Sequence, residues 1–217
     1  ASINLKLKNG VKGIFNLIAT LGLGYDNKRL WDNELIATYF KRNSQLLATY
    51  KGNNTGNDLE NELRSFDDEG IRYKTSTLSE IETASTPNIG KRHYFFNKSH
   101  AGTVNYVSRI GSENELGFNF SLLNDRDERS TDYKSVTYLP DGISNLVQQK
   151  TNSLTHQTVG YGTFTYMLNS KSRYLKDQIK AEFIHQDGSS STQMAEFINQ
   201  KSKMKNLYLN NSLHFTN

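Results

Sequence analysis

The stretch GIFNLIATLGLGYDNKRLWDNELIATYFKRNSQLLATY, residues 13–50, decides how the chain is read. Phe15, Leu17, Ala19, Leu21, Leu23 and Tyr25 are apolar at every second position, with Asn16, Ile18, Thr20, Gly22 and Gly24 between them. Trp31, Asn33, Leu35, Ala37 and Tyr39 repeat the alternation, and Leu46, Ala48 and Tyr50 begin a third run. A period of two places successive side chains on opposite faces of a sheet. The first two runs exceed the usual five or six residues of a strand and reach the ~9–11 that a tilted strand needs to cross a bilayer.

Outward from this stretch, the same alternation recurs. Ile3, Leu5 and Leu7 form a short run that Asn9-Gly10 ends. After the third run the chain turns polar from Gly52 to Arg92, and pairing is expected to resume at His93 and continue through Ala101–Tyr106. Further strands are expected at Leu116–Leu122, 151–168, 173–186 and Leu207–Phe215. Residues 124–150, with Pro140-Asp141-Gly142, and 187–200, with Gly188 to Ser191, read as loops. Long and short connections alternate, as they do when all short turns of a meander lie at one end.

Composition narrows the classes. The 217 residues suffice for one large β domain or two small ones, the single domain being preferred. Apolar content is 35% and mean hydropathy −0.69, low for a chain filling a solid core, while 12 Tyr and 11 Phe argue against disorder. No cysteine is present, which removes disulfides and thiolate metal sites. The net charge of +4 comes without a basic block interleaved with aromatics, so nucleic acid is not expected as a partner. No apolar run of ~18 residues provides a transmembrane helix, and the start at Ala1 carries no signal-peptide pattern.

No residue is nominated as catalytic, cofactor-binding or metal-ligating. His93, His100, His156, His185 and His214 follow no metal-ligand spacing. Gly22-Leu23-Gly24 and Gly160-Tyr161-Gly162 sit inside strands, where no helix follows to cradle a phosphate. Asp125, Asp127 and Glu128 offer oxygen ligands, but Arg126 and Arg129 interleave with them. Asn53, Asn97 and Asn210 begin matches to the glycosylation sequon. Tyr25, Trp31, Tyr50, Tyr166 and Tyr174 lie near strand ends, the positions of interfacial aromatic rings. Phe15, Leu17, Leu21, Leu23, Leu35, Phe118 and Phe120 are expected on a lipid-facing side.

The run Ser2 to Lys8 followed by Gly22-Leu23-Gly24-Tyr25 resembles the end of the plug and the first barrel strand of TonB-dependent receptors of Bacteroidetes type. Ala37 to Leu46, Asn53 to Gly56, Asn97 to His100 and Tyr166 to Lys171 are similar to further barrel strands of that family. The resemblance implies an all-β antiparallel up-and-down meander, about eight long strands of a larger transmembrane barrel. Residues 1–10 would be a plug strand or lead-in, and 11–217 the N-terminal portion of the barrel. It implies a non-enzymatic outer-membrane receptor taking up a siderophore, glycan or peptide. Its partners would be the lipid bilayer, a TonB-type energy-coupling protein acting through the plug, and a surface lipoprotein. Most of the plug and the TonB box are absent from these residues, and Phe215-Thr216-Asn217 does not end on an aromatic. Two other readings stand beside it: a complete eight-stranded outer-membrane barrel acting as an adhesin or structural protein, and a soluble β-sandwich module binding carbohydrate through its loops.

Overall fold

The computed structural model describes residues 13–59, 81–86, 88–90, 96–138, 144–194 and 196–217. The expected strand at Ile3–Leu7 with its Asn9-Gly10 turn, the lead-in over 1–10, the restart at His93 and the turn at Pro140–Gly142 lie outside the described residues.

Eight strands run in sequence order: β1 (Ile14–Asp26), β2 (Lys28–Lys41), β3 (Ser44–Asn53), β4 (Phe96–Ile110), β5 (Asn114–Tyr138), β6 (Ser144–Asn169), β7 (Tyr174–Gln193) and β8 (Phe197–Thr216). They form one sheet of order β1-β2-β3-β4-β5-β6-β7-β8, every neighbouring pair antiparallel. Asn27 alone joins β1 to β2, and it takes the left-handed backbone (φ 53°) that asparagine tolerates better than most residues. The connections after β2, β4 and β6 are short turns at one end of the sheet.

This sheet corrects the expected fold class. The order is linear, and among the described residues β1 and β8 each have a single neighbour. A barrel requires its first and last strands to pair with tilt and stagger. That pairing is missing among the described residues, so the sheet is open and is not closed into a barrel. No helix among the described residues is long and apolar enough to cross a membrane.

The expected loops are corrected as well. Residues 124–150 belong mainly to the paired strands β5 and β6, with Tyr138 opposite Ser144 at the tip. Residues 187–193 and 197–200 pair across β7 and β8. Both hairpins project past the shorter β1–β3.

Register shows how the alternation is used. One row across the sheet reads Leu17, Ala37, Ala48, Val104, Phe120, Gly162, Ala181, Leu209. The rows on either side, from Phe15 to Asn211 and from Ala19 to Leu207, also hold no charged side chain. This face is uncovered: Leu23 is 87% exposed, and Phe15, Leu17, Leu21, Leu35, Phe118 and Phe120 are exposed beside it. The residues expected on a lipid-facing side therefore share one face, but the open sheet gives no support for lipid against it.

The opposite face is polar, and its middle is buried. Ser99, Thr103, Asn105, Asn119, Ser121 and Thr163 each show less than a tenth of their surface. One apolar row crosses it: Ala101, Leu123, Val159 and Ile184, from four successive strands, with Val159 1% exposed. Leu59, from the segment after β3, completes that cluster. The described part of the 52–92 segment thus folds onto the polar face. Ile81 reaches Gly188, and the Ala84 N–H faces the Ser153 hydroxyl at 3.5 Å.

An amide network fixes the start of this segment. The Asn53 side-chain oxygen accepts from the N–H groups of Thr55 and Asn57, both at 3.2 Å, and from Asn97 Nδ2 at 3.1 Å. Asn97 Oδ1 accepts the Gly56 N–H at 2.9 Å, and Asn97 Nδ2 donates to the Asn57 carbonyl at 2.9 Å. Gly56 has φ 83°, a conformation that a side chain would strain. Side chains placed by β3 and β4 thereby satisfy backbone groups that would otherwise be buried without partners.

Candidate functional site

The densest group of aromatic and imidazole side chains lies on the apolar face, at the margin nearest the long hairpins. Period-two placement on β2, β3 and β4 directs Trp31, Tyr50 and His100 to the same side. The indole and imidazole stack with centroids 5.1 Å apart and planes at 29°. The Tyr50 hydroxyl lies 2.8 Å from His100 Nδ1. Gly52 makes this arrangement possible: a Cβ there would lie 2.6 Å from Tyr50 Oη and 2.8 Å from Trp31 Cζ3. Trp31 is held from behind, its N–H donating to Asn54 Oδ1 at 2.8 Å and its carbonyl accepting the Asn54 N–H at 3.1 Å.

Burial, and after it the nearby Lys98 ammonium, lower the His100 pKa from its ordinary 6.5. The ring is therefore neutral at pH 7. The neutral ring has one N–H donor and one acceptor nitrogen, and Nδ1 shares its hydrogen bond with the Tyr50 hydroxyl. The row containing His100 continues through Asn124, Thr158 and His185. Asn124 Nδ2 donates to Thr158 Oγ1 at 2.8 Å and lies 3.1 Å from His156 Nε2. A flat aromatic surface thus borders a row of amide, hydroxyl and imidazole groups. Such a surface can stack against the C–H face of a ring while its neighbours address hydroxyls.

The other residues weighed from sequence are kept apart. Alternation on β5 sends Asp125 and Asp127 to the polar face and Glu128 to the other, so the three carboxylates do not converge. Asp125 accepts from the Ser99 hydroxyl, and Asp127 pairs with Arg129 at 2.6 Å. His185 pairs with Asp187 at 2.7 Å, and His214 packs edge-on against Tyr174. Among the described residues no group of three or more His, Asp or Glu could hold a metal ion. Gly22, Gly24, Gly160 and Gly162 lie inside strands. Sequence reading placed Trp31 and Tyr50 in an interfacial ring and left His100 as one of several scattered histidines. Their union depends on the register of β4 against β3 across the long connection, which no local pattern encodes.

The class defined here is an open, eight-stranded antiparallel meander with one apolar and one polar face. Comparison with known proteins adds no relative: no family model, no curated protein and no solved structure matches the chain. The resemblance to TonB-dependent receptors is corrected accordingly. It rested on strand patterns, and neither a closed barrel nor a family match accompanies them. The outer-membrane location, the uptake role and the partners implied with it (bilayer, energy-coupling protein, surface lipoprotein) lose their basis together.

Proposed function

We propose that this chain is a non-catalytic binding module for carbohydrate, with a pyranose ring stacking on Trp31. The carrying observation is the Trp31–His100–Tyr50 cluster beside the row of His100, Asn124, Thr158 and His185. Stacking supplies affinity for the apolar face of the sugar, and the fixed donors and acceptors select its hydroxyl pattern. Neutral His100 offers Nε2 as a hydrogen-bonding partner to a sugar hydroxyl without the desolvation cost of a buried cation. The same segment fixes the platform and the loop: Gly52 admits the rings, Asn53 holds the turn, and Asn54 grips the Trp31 backbone.

Affinity electrophoresis against a panel of polysaccharides, followed by calorimetry with oligosaccharides, tests this reading. At least one polysaccharide should retard the wild-type chain, and Trp31→Ala should weaken that binding tenfold or more. Indifference of the wild type to the whole panel, or equal binding by Trp31→Ala, would refute it. Accumulation of cleaved saccharide during the assay would refute the non-catalytic part.

A further inference from the structure

The two edges of the sheet carry a second inference, independent of the carbohydrate reading. Among the described residues strands β1 and β8 each have one neighbour, so the other side of each offers N–H and C=O groups for a further strand. Proteins ordinarily blunt such edges with lysine, proline or a bulge. In β1, the 12 residues from Ile14 to Tyr25 contain no charged residue and no proline. In β8, the 11 residues from Asn206 to Thr216 also contain no Asp, Glu, Lys, Arg or proline, whereas Lys201, Lys203 and Lys205 occupy the other half.

The two uncharged tracts match in length, level and direction. Both reach the short-turn end of the sheet, where Ile14 is opposite Phe40 and Thr216 is opposite Tyr174. In an eight-stranded meander the first and last strands run in opposite senses. A β8 laid along a β1 is therefore antiparallel, like every existing pair. The faces match too. Phe15, Leu17 and Leu21 of β1 belong to the same face as Leu207, Leu209 and Leu213 of β8, and Asn16 and Thr20 to the same face as Asn210 and Ser212.

We propose that copies of this chain associate edge to edge, β8 of one copy adding antiparallel to β1 of the next. The contact is heterologous, each copy offering one donor and one acceptor strand. A shift of one residue would put leucines on the polar face, so the pairing is confined to registers of one parity.

The absence of cysteine makes a direct test available. Purified Ala19→Cys chain is mixed in turn with Leu207→Cys, Leu209→Cys, Leu213→Cys and Tyr208→Cys chains and mildly oxidised. All five positions lie on the edge strands, and Leu207, Leu209, Leu213 and Tyr208 are more than half exposed. A disulfide-linked pair is expected with at least one of the three leucine positions. None is expected with Tyr208→Cys, which lies on the opposite face, or between two Ala19→Cys chains. Sedimentation velocity of the wild type should show species larger than a monomer that increase with concentration. A monomer at every concentration, no mixed disulfide, or crosslinking as efficient with Tyr208→Cys would each overturn the proposal.

Discussion

Replacing Gly52 by alanine separates the aromatic cluster from the stability of the sheet. The new Cβ would lie 2.6 Å from Tyr50 Oη and 2.8 Å from Trp31 Cζ3. Carbon contacts are comfortable at about 3.5–4 Å, so each ring tip must withdraw by roughly 1 Å. The obstructing atoms are the ends of side chains, and Gly52 does not use a positive φ, so the backbone can stay in place. Moving Tyr50 off its rotamer or breaking its bond to His100 costs about 0.5–1.5 kcal/mol. Against this, alanine in a strand gains about 0.5–1 kcal/mol over glycine. The net change in unfolding free energy should therefore be within about 1 kcal/mol. The cluster itself should change markedly. Trp31 is the chain's single tryptophan, so its emission reports on the cluster alone. Loss of packing should shift that emission, and the His100 titration followed by NMR should move up toward its ordinary value. Unchanged emission and an unchanged His100 titration would refute the contact geometry. Collapse of the urea midpoint would show that the rings cannot yield, contrary to the argument.

Further outcomes follow from the same geometry. Lys98→Met removes the cation that helps hold His100 protonation down, so the His100 pKa should rise in an NMR titration, leaving the larger effect of burial in place. Because the folded-state pKa of His100 is lowered, the unfolded chain takes up that proton first as pH falls. This contribution to stability is complete above about 6.5 and is lost as pH falls from there through the folded-state pKa; His100→Gln should flatten that part of the urea-midpoint profile. Leu59→Ala removes the cap from the Ala101–Leu123–Val159–Ile184 row and should weaken loop docking by about 2–3 kcal/mol, read as faster amide exchange over 53–59. Asn97→Ala leaves the Gly56 N–H without its acceptor and should cost about 1–3 kcal/mol in urea unfolding.

The parts of the fold visible in the sequence are those where one face is apolar. The Leu17–Leu209 row marks every strand with a hydrophobic or small residue, and the strand regions expected after Ile3–Leu7, which lies outside the described residues, overlap β1 to β8 in turn. The distal half of β5 and the first residues of β6, 144–150, read as loop because the faces there carry no apolar period. Asp127, Arg129 and Thr131 alternate with Glu128 and Ser130, so hydrophobicity has no period to detect. Thr131, Tyr133, Val136, Thr137 and Tyr138 were the available signal, since β-branched and aromatic residues favour extended backbone. Closure was beyond reach for another reason. Alternation assigns sides to a strand, but it does not say whether the first strand meets the last. The cluster at Trp31 was half visible: Trp31 and Tyr50 stood at strand ends, but the imidazole between them arrives from 50 residues beyond Tyr50.

The Leu59 contact also orders events in time. Its four partners come from β4, β5, β6 and β7, so the surface that receives it exists only after those strands have found their register. Until then the leucine has nothing to grip, although the residues that carry it leave the ribosome before any of those strands. Leu59 is thus made early and seated late, like a keystone held aside until the arch is standing.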